Sequence, residues 1–223
     1  VRTTDEVWTA IHPVEDLMQF INPAGGYVQN CNSPPYMTNL HLPLKREDYP
    51  AHFPDNALSL RTQHGLGLIH NDTKFDLDSL GKAKFSMKML LADRVKPDLL
   101  KILGEADLDD EERAAWELLK RWENSVRAES KGSVLFKVWW SIYRKGDKRY
   151  AEDWDEKTPM ITPLGIGAPE RVLPAFREAM TECTKRWGSW DVAWGEVHRI
   201  RRGDVDLPVG GGDGSLGCFR VCD

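Results

Sequence analysis

Residues able to do chemistry are thinly spread along this sequence, and most of their spacings fail. Ser215 stands in "DGSLG", where a nucleophile elbow of the form G-x-S-x-G needs glycine in place of Asp213. The run "GGGDGSLG" at 210–217 has no following Lys-Ser/Thr, so it reads as a turn cluster and not as a phosphate loop. His64 and His70 are six apart and fall on different faces of a helix. No H-E-x-x-H or C-x₂-C pair exists, so no metal site and no cofactor are expected. Glu152, Asp153, Asp155 and Glu156, interspersed with Trp154 and Lys157, read as a solvated acidic loop. What is left is the amide pair of Asn30 and Asn32 in "NPAGGYVQNCNSPP", residues 22–35. Two apart on an extended chain, their carboxamides point the same way. Either they cap a turn or one of them is aimed at something.

The elements that must position this pair change character along the chain. Residues 1–32 have β character, with Val7 and Trp8, a Gly25-Gly26 turn and "YVQNCN". Prolines 34, 35, 43, 50 and 54 make 33–57 a long wrapping loop, because proline suits neither a helix interior nor a central strand. Loops of that length tend to be functional or to line an interface.

From Leu58 the pattern is helical. One short helix is expected in "LSLRTQHGLGLIH". A second runs through "SLGKAKFSMKMLLADRV", and "KPDLLKILG" follows after a break at Pro97, with Gly104 as C-cap. "DLDDEERAAWELLKRWENSVR" carries Trp116, Leu119, Trp122 and Val126 on one face, and acidic residues suit its start. "KGSVLFKVWWSIYRKG" has Ser133 as N-cap and Gly146 beyond its end. In "APERVLPAFREAMTECTKRWG", Val172, Phe176, Met180, Cys183 and Trp187 form a core stripe. After Trp187 short β-like pieces alternate with glycine turns. The division is therefore a β margin with its loop at 1–57, a helical region at 58–187 and an irregular or β margin at 188–223. The fold class is mainly α with flanking β-strands.

The bulk numbers narrow the function classes. A net charge of −5 argues against nucleic acid or an anionic membrane as the main partner. The cluster Arg199, Arg201 and Arg202 is offset by Asp204 and Asp206 and reads as a solvated turn. No apolar run of about 18 residues exists, so no membrane-spanning helix is expected. Cys31, Cys183, Cys218 and Cys222 leave the compartment open: free or buried thiols are one reading, a 218–222 or 183–218 disulfide the other. Val1 at the start and "CFRVCD" at the end read as cut ends, so an internal piece of a longer protein is expected.

The opening motif resembles the "NP…GY…N-x-N…P" segment in the β-chain of the penicillin acylase family. That family of N-terminal-nucleophile amidohydrolases includes penicillin G, cephalosporin, aculeacin and acyl-homoserine lactone acylases. About 165 residues on, "WGEVHRIRRGDVDLPVGGGDGSLG" resembles the family's "WG-(D/E)-x-x-R…(L/I)PV-x-GG" segment. The two motifs frame residues 22–217, and the likeness is greater to the cephalosporin and homoserine-lactone branch.

The resemblance implies an internal fragment of a β-chain from a four-layer αββα sandwich. The family's nucleophile is the β-chain's N-terminal serine, freed by self-cleavage, with its own α-amino group as base. Its oxyanion is held by a backbone N–H and an asparagine side chain, the second Asn of N-x-N, which here is Asn32. A carboxamide donates a directed hydrogen bond without a titratable proton. An arginine at the start of the first helix after the loop helps order the site, and Arg61 fits by position. Glu196 and His198 are weaker candidates, read first as a structural strand.

The nucleophile is expected upstream, so this chain carries only part of a site. Its implied partners are the rest of the β-chain, the α-chain and an acyl-amide substrate. The implied location is periplasmic or secreted. The alternative from another class is a non-catalytic helical binding or scaffold domain whose tryptophan-rich faces contact a partner.

Overall fold

The computed structural model describes residues 3–7, 9–71 and 74–222. Seven α-helices and one hairpin make up its regular structure among these residues. Helix α1 spans Leu60–Ile69 and starts at an N-cap, Ser59, whose hydroxyl accepts from the Thr62 N–H. Helix α2, Leu77–Lys84, starts at a capping box between Asp76 and Ser79. Helix α3 spans Leu90–Gly104 and α4 Asp110–Arg121. Helices α5, Ser133–Tyr143, and α6, Val172–Trp187, pack against each other more extensively than any other pair of elements. A single-turn α7, Trp194–Val197, leads into the antiparallel strands β1, Arg199–Arg202, and β2, Val205–Pro208.

The main core is aromatic and sits between α3, α4, α5 and α6. Phe136, Trp139, Tyr143, Phe176 and Cys183 are fully buried in it, together with Leu99, Leu103 and Leu119. Burial pushes the Cys183 thiol up to about 11, so it stays protonated at neutral pH. The expected stripe is this core face: Val172, Phe176, Met180 and Cys183 are buried, with Trp187 packed at its edge.

Five helix expectations need correction, the smallest being Gly104, which is the last helical residue of α3 with Glu105 as its C-cap. The predicted single helix 79–95 is split, because Met87 and Met89 instead pair with the strand-like segment 124–126. Val126 N donates to Met87 O and Met89 N to Asn124 O, each at 2.8 Å. The same pairing ends α4 at Arg121, so Trp122 and Val126 leave the helix while staying buried. The predicted break at Pro97 does not occur, and α3 runs through it. Proline costs a helix interior about 3 kcal/mol, yet Leu91, Val95, Leu99 and Leu103 are all fully buried on this helix, each contributing about 1.5–3 kcal/mol. Lastly, the N-cap of α5 is Gly132, at φ +92, and Ser133 is the first helical residue.

The β character expected over 1–32 is not realised as strand among the described residues, and Trp8 lies outside them. Short 3₁₀ turns joined by extended backbone take its place. A strand needs a neighbouring backbone along its length, and the "YVQNCN" segment pairs through Gln29 N to Thr38 O (3.2 Å) before Asn32 turns away at φ +64. The wrapping loop is nevertheless well anchored. Asn39 is fully buried, its Nδ2 donating to the carbonyls of Ala24 (2.9 Å) and Tyr27 (2.8 Å) while its Oδ1 accepts from His41 N (2.8 Å). The Tyr36 hydroxyl, equally buried, donates to Pro54 O at 2.8 Å.

Candidate active site

The two asparagines of the opening motif have separate tasks. Asn30 Oδ1 accepts from the Asn32 backbone N–H at 2.7 Å, closing an Asx turn. That turn carries Asn32 into the left-handed region, which asparagine tolerates better than other non-glycine residues. The Asn32 side chain is exposed, and its Oδ1 accepts from Arg61 Nη1 at 3.0 Å. A guanidinium only donates, so the carboxamide oxygen must face Arg61. Its Nδ2–H₂ therefore faces away from Arg61, presented at the surface. Asn30 forms the turn, and Asn32 presents its carboxamide to Arg61.

Arg61 sits in the first turn of α1, held by packing. The expected turn cluster 210–217 lies against it, so close that a Cβ on Gly214 would stand 3.1 Å from Arg61 Cδ. Arg61 Nε is buried and has no hydrogen-bond partner among the described residues. One helical turn on, His64 is buried and bonded to Gly217 O (Nδ1, 2.7 Å) and Ser86 Oγ (Nε2, 3.0 Å). The carbonyl can only accept, so Nδ1 carries the proton, and burial holds the imidazole below its ordinary pKa. The two motifs, far apart in sequence, thus meet on α1. The far end of α1 is tied as well: Tyr27 OH accepts from Leu40 N (3.0 Å) and so donates to His70 Nδ1 (2.8 Å).

Along the face of α1 that carries Arg61, a small apolar cavity of about 160 Å³ lies between Cys31, Gly65, Leu68 and Phe219. A Cβ on Gly65 would come within 2.9 Å of Phe219 and 3.2 Å of Cys31 Sγ, so glycine lets both side chains approach. Burial raises the Cys31 thiol pKa, opposed by Arg61 and Lys84. A larger cleft of about 440 Å³ between α5 and α6, floored by Trp187 and Trp194, shares no residue with this site.

The other candidates fall elsewhere. Glu196 is in α7 and accepts from Ala193 N at 3.2 Å, and His198 stacks on Trp194 at 4.1 Å, 3.0 Å from Lys137 Nζ. Strand β1 begins only after them, at Arg199. The acidic residues 152, 153, 155 and 156 are exposed, and Ser215 closes a turn on Asp213 Oδ1. Cys31 and Cys183 are buried free thiols and Cys222 a half-buried one. Among the described residues no group of three or more His, Cys, Asp or Glu could hold a metal, and no helix is long and apolar enough to cross a membrane. The residues that sequence reasoning missed are Ser33, Ser59 and Thr62, whose hydroxyls join the loop to α1. A serine directly before the Leu60 apolar run was an available N-cap signal.

Comparison with known proteins decides the family. The profile described as penicillin amidase matches residues 2–221. The chain belongs to the penicillin amidase family. Among curated relatives, it is 28% identical over 206 residues to the acyl-homoserine lactone acylase PvdQ of Pseudomonas fluorescens Pf-5, covering 87% of this chain and 26% of that protein. It is 27% identical over 207 residues to the PvdQ of Pseudomonas syringae pv. tomato, covering 87% and 27%. The Pseudomonas putida PvdQ is 25% identical over 201 residues, covering 87% and 25%. The chain thus spans about a quarter of the length of the curated relatives it matches. The amidase match runs through both motifs and every element around Asn32 and Arg61.

Proposed function

We propose that this chain is an internal part of the β-chain of an N-terminal-nucleophile acylase. The parent hydrolyses the amide bond between an acyl chain and an amine, in a substrate of β-lactam, lipopeptide or acyl-homoserine lactone type. The observation that carries the reading is Arg61 Nη1 donating to Asn32 Oδ1, which leaves Nδ2–H₂ facing outward. When the nucleophile attacks the substrate carbonyl, negative charge gathers on the carbonyl oxygen. A donor already oriented there stabilises the tetrahedral intermediate without reorganising, and this is commonly the largest single catalytic contribution. Asn32 supplies that donor. Arg61 is a positioning residue: it fixes the carboxamide's direction, and its charge pulls on Oδ1 so that the N–H₂ donates more strongly.

In this reading the serine nucleophile with its α-amino base, the backbone oxyanion donor and the rest of the αββα sandwich come from the remaining β-chain and the α-chain. The names of the matched relatives favour an acyl-homoserine lactone acylase activity, and a periplasmic or secreted location goes with the resemblance. The test is Asn32→Ala in the processed full-length enzyme, which should lower kcat by about 10²–10³. Asn30→Ala should cost much less, because that side chain accepts from a backbone N–H. Equal activity of the two variants would overturn the assignment. The chain by itself should turn over no acyl anilide, since without the nucleophile only binding and electrostatic contributions are left.

A further inference from the structure

A donor serves an oxyanion only if it is held within about 0.5 Å of its place. Arg61 fixes the direction of the Asn32 carboxamide, but the backbone beneath it needs its own restraint. Ser33, the next residue, is tied to α1 by a ring of hydroxyls. Ser59 N–H donates to Ser33 Oγ at 3.4 Å, Ser33 Oγ lies 2.5 Å from Thr62 Oγ1, and Thr62 Oγ1 lies 2.9 Å from Ser59 Oγ. Either hydroxyl of each pair can donate, and in both senses the proton chain links Ser33, Thr62 and Ser59. Thr62 is fully buried, so its bonds do not compete with water. Consecutive residues of α1, Arg61 and Thr62, therefore grip consecutive residues of the loop, Asn32 and Ser33.

We propose that Ser33 and Thr62 are positioning residues for the Asn32 carboxamide, acting through this hydroxyl ring. The inference rests on the reading of Asn32 as the oxyanion donor. Thr62→Val keeps shape and volume and leaves the Ser59 cap on the Thr62 backbone N–H in place, but Ser33 loses its hydroxyl partner. Displacement of a catalytic group by about 1 Å can cost about 10²-fold, and a loosened loop should fall short of that limit.

The experiment uses the full-length processed enzyme and a fatty-acyl 4-nitroanilide. Thr62→Val and Ser33→Ala should each lower kcat about tenfold with KM little changed, while Thr62→Ser keeps wild-type turnover. In an Asn32→Ala background, Thr62→Val should have almost no further effect on kcat, since two residues serving one interaction are not additive. If Asn32→Ala alone is harmless, the oxyanion reading falls and this inference with it. If Asn32→Ala is damaging but Thr62→Val and Ser33→Ala turn over normally, the inference alone falls. It falls equally if Thr62→Val lowers kcat by the same factor with and without Asn32. Should Thr62→Val fail to fold, the half-buried Ser33→Ala carries the same comparison, alone and combined with Asn32→Ala.

Discussion

In the helical body, position is set by volume: on α5 Trp139 stacks on Tyr143 and meets Phe136 at a tilt, and with Phe176 of α6 all are fully buried. Around Asn32, position is set by direction. Arg61 and the Ser33–Thr62–Ser59 ring hold the loop to α1, Asn30 and buried Asn39 tie the loop to itself, and the apolar cluster beneath is small, with Met37, Leu58 and Leu66 at its centre. Apolar burial stabilises strongly but fixes orientation loosely. Hydrogen bonds contribute about 0.5–1.5 kcal/mol net each, yet they define where an N–H points. A site that must aim one amide is built from the second kind of contact and rests on the first.

Four measurements sharpen or break this contrast. The largest effect should come from Trp139→Ala, which empties the centre of the body and should cost about 3–5 kcal/mol in denaturant unfolding. Its kcat per folded molecule should stay near wild type, and a selective loss of kcat would mean that the two regions are one. Next, Asn39→Ala leaves the Ala24 and Tyr27 carbonyls and the His41 N–H without their partner. It should cost about 1–3 kcal/mol. Hydrogen exchange should quicken over 22–45 while α5 and α6 stay protected, and global loosening instead would refute a separately held platform.

Third, Arg61→Lys keeps the charge but loses the planar fork that meets Asn32 Oδ1. It should lower kcat about tenfold, nearly as much as Arg61→Ala, with stability changed by no more than about 0.5 kcal/mol. Wild-type turnover in the lysine variant would remove Arg61 from the site.

The smallest effect concerns His64. Burial holds its folded-state pKa below the ordinary 6.5, so the folded protein binds fewer protons than the unfolded chain once the pH falls below that value. Its contribution is fully present above pH 6.5 and is lost as the pH drops from there toward the folded pKa. The slope from one such group is at most about 1.4 kcal/mol per pH unit. His64→Gln should flatten this limb of the stability curve. An unchanged limb would assign it to other groups.

Much of the body was legible because periodicity reports burial directly. The 172–187 stripe needed only the spacing of its apolar residues, and the acidic residues expected at the start of α4 fill its first turn. The interruption after Lys84 and the end of α4 at Arg121 were not legible. Both come from pairing between 87–89 and 124–126, a contact across some 35 residues that neither segment announces. Apolar Val7 and the Val28 of "YVQNCN" suggested strand, yet they are 53% and 58% exposed, because a β-rich stretch marks a potential face and not the neighbour that would cover it.

For the site, residue types and spacing singled out the pair Asn30 and Asn32, and the family resemblance chose Asn32 and added Arg61. Spacing alone could not divide the labour between the two asparagines. On an extended chain Asn30 and Asn32 are equivalent, and the φ of +64 at Asn32, set by the Asn30 side chain, breaks that equivalence. Nor could it show that Gly214 backs Arg61 or that Thr62 holds Ser33 across 29 positions. Local composition determined which segments are helical and which loop is proline-bound, because each depends on nearest neighbours along the chain. Only the tertiary structure decided which carboxamide meets Arg61 and what keeps it there, because the direction of a hydrogen bond depends on partners brought together by folding.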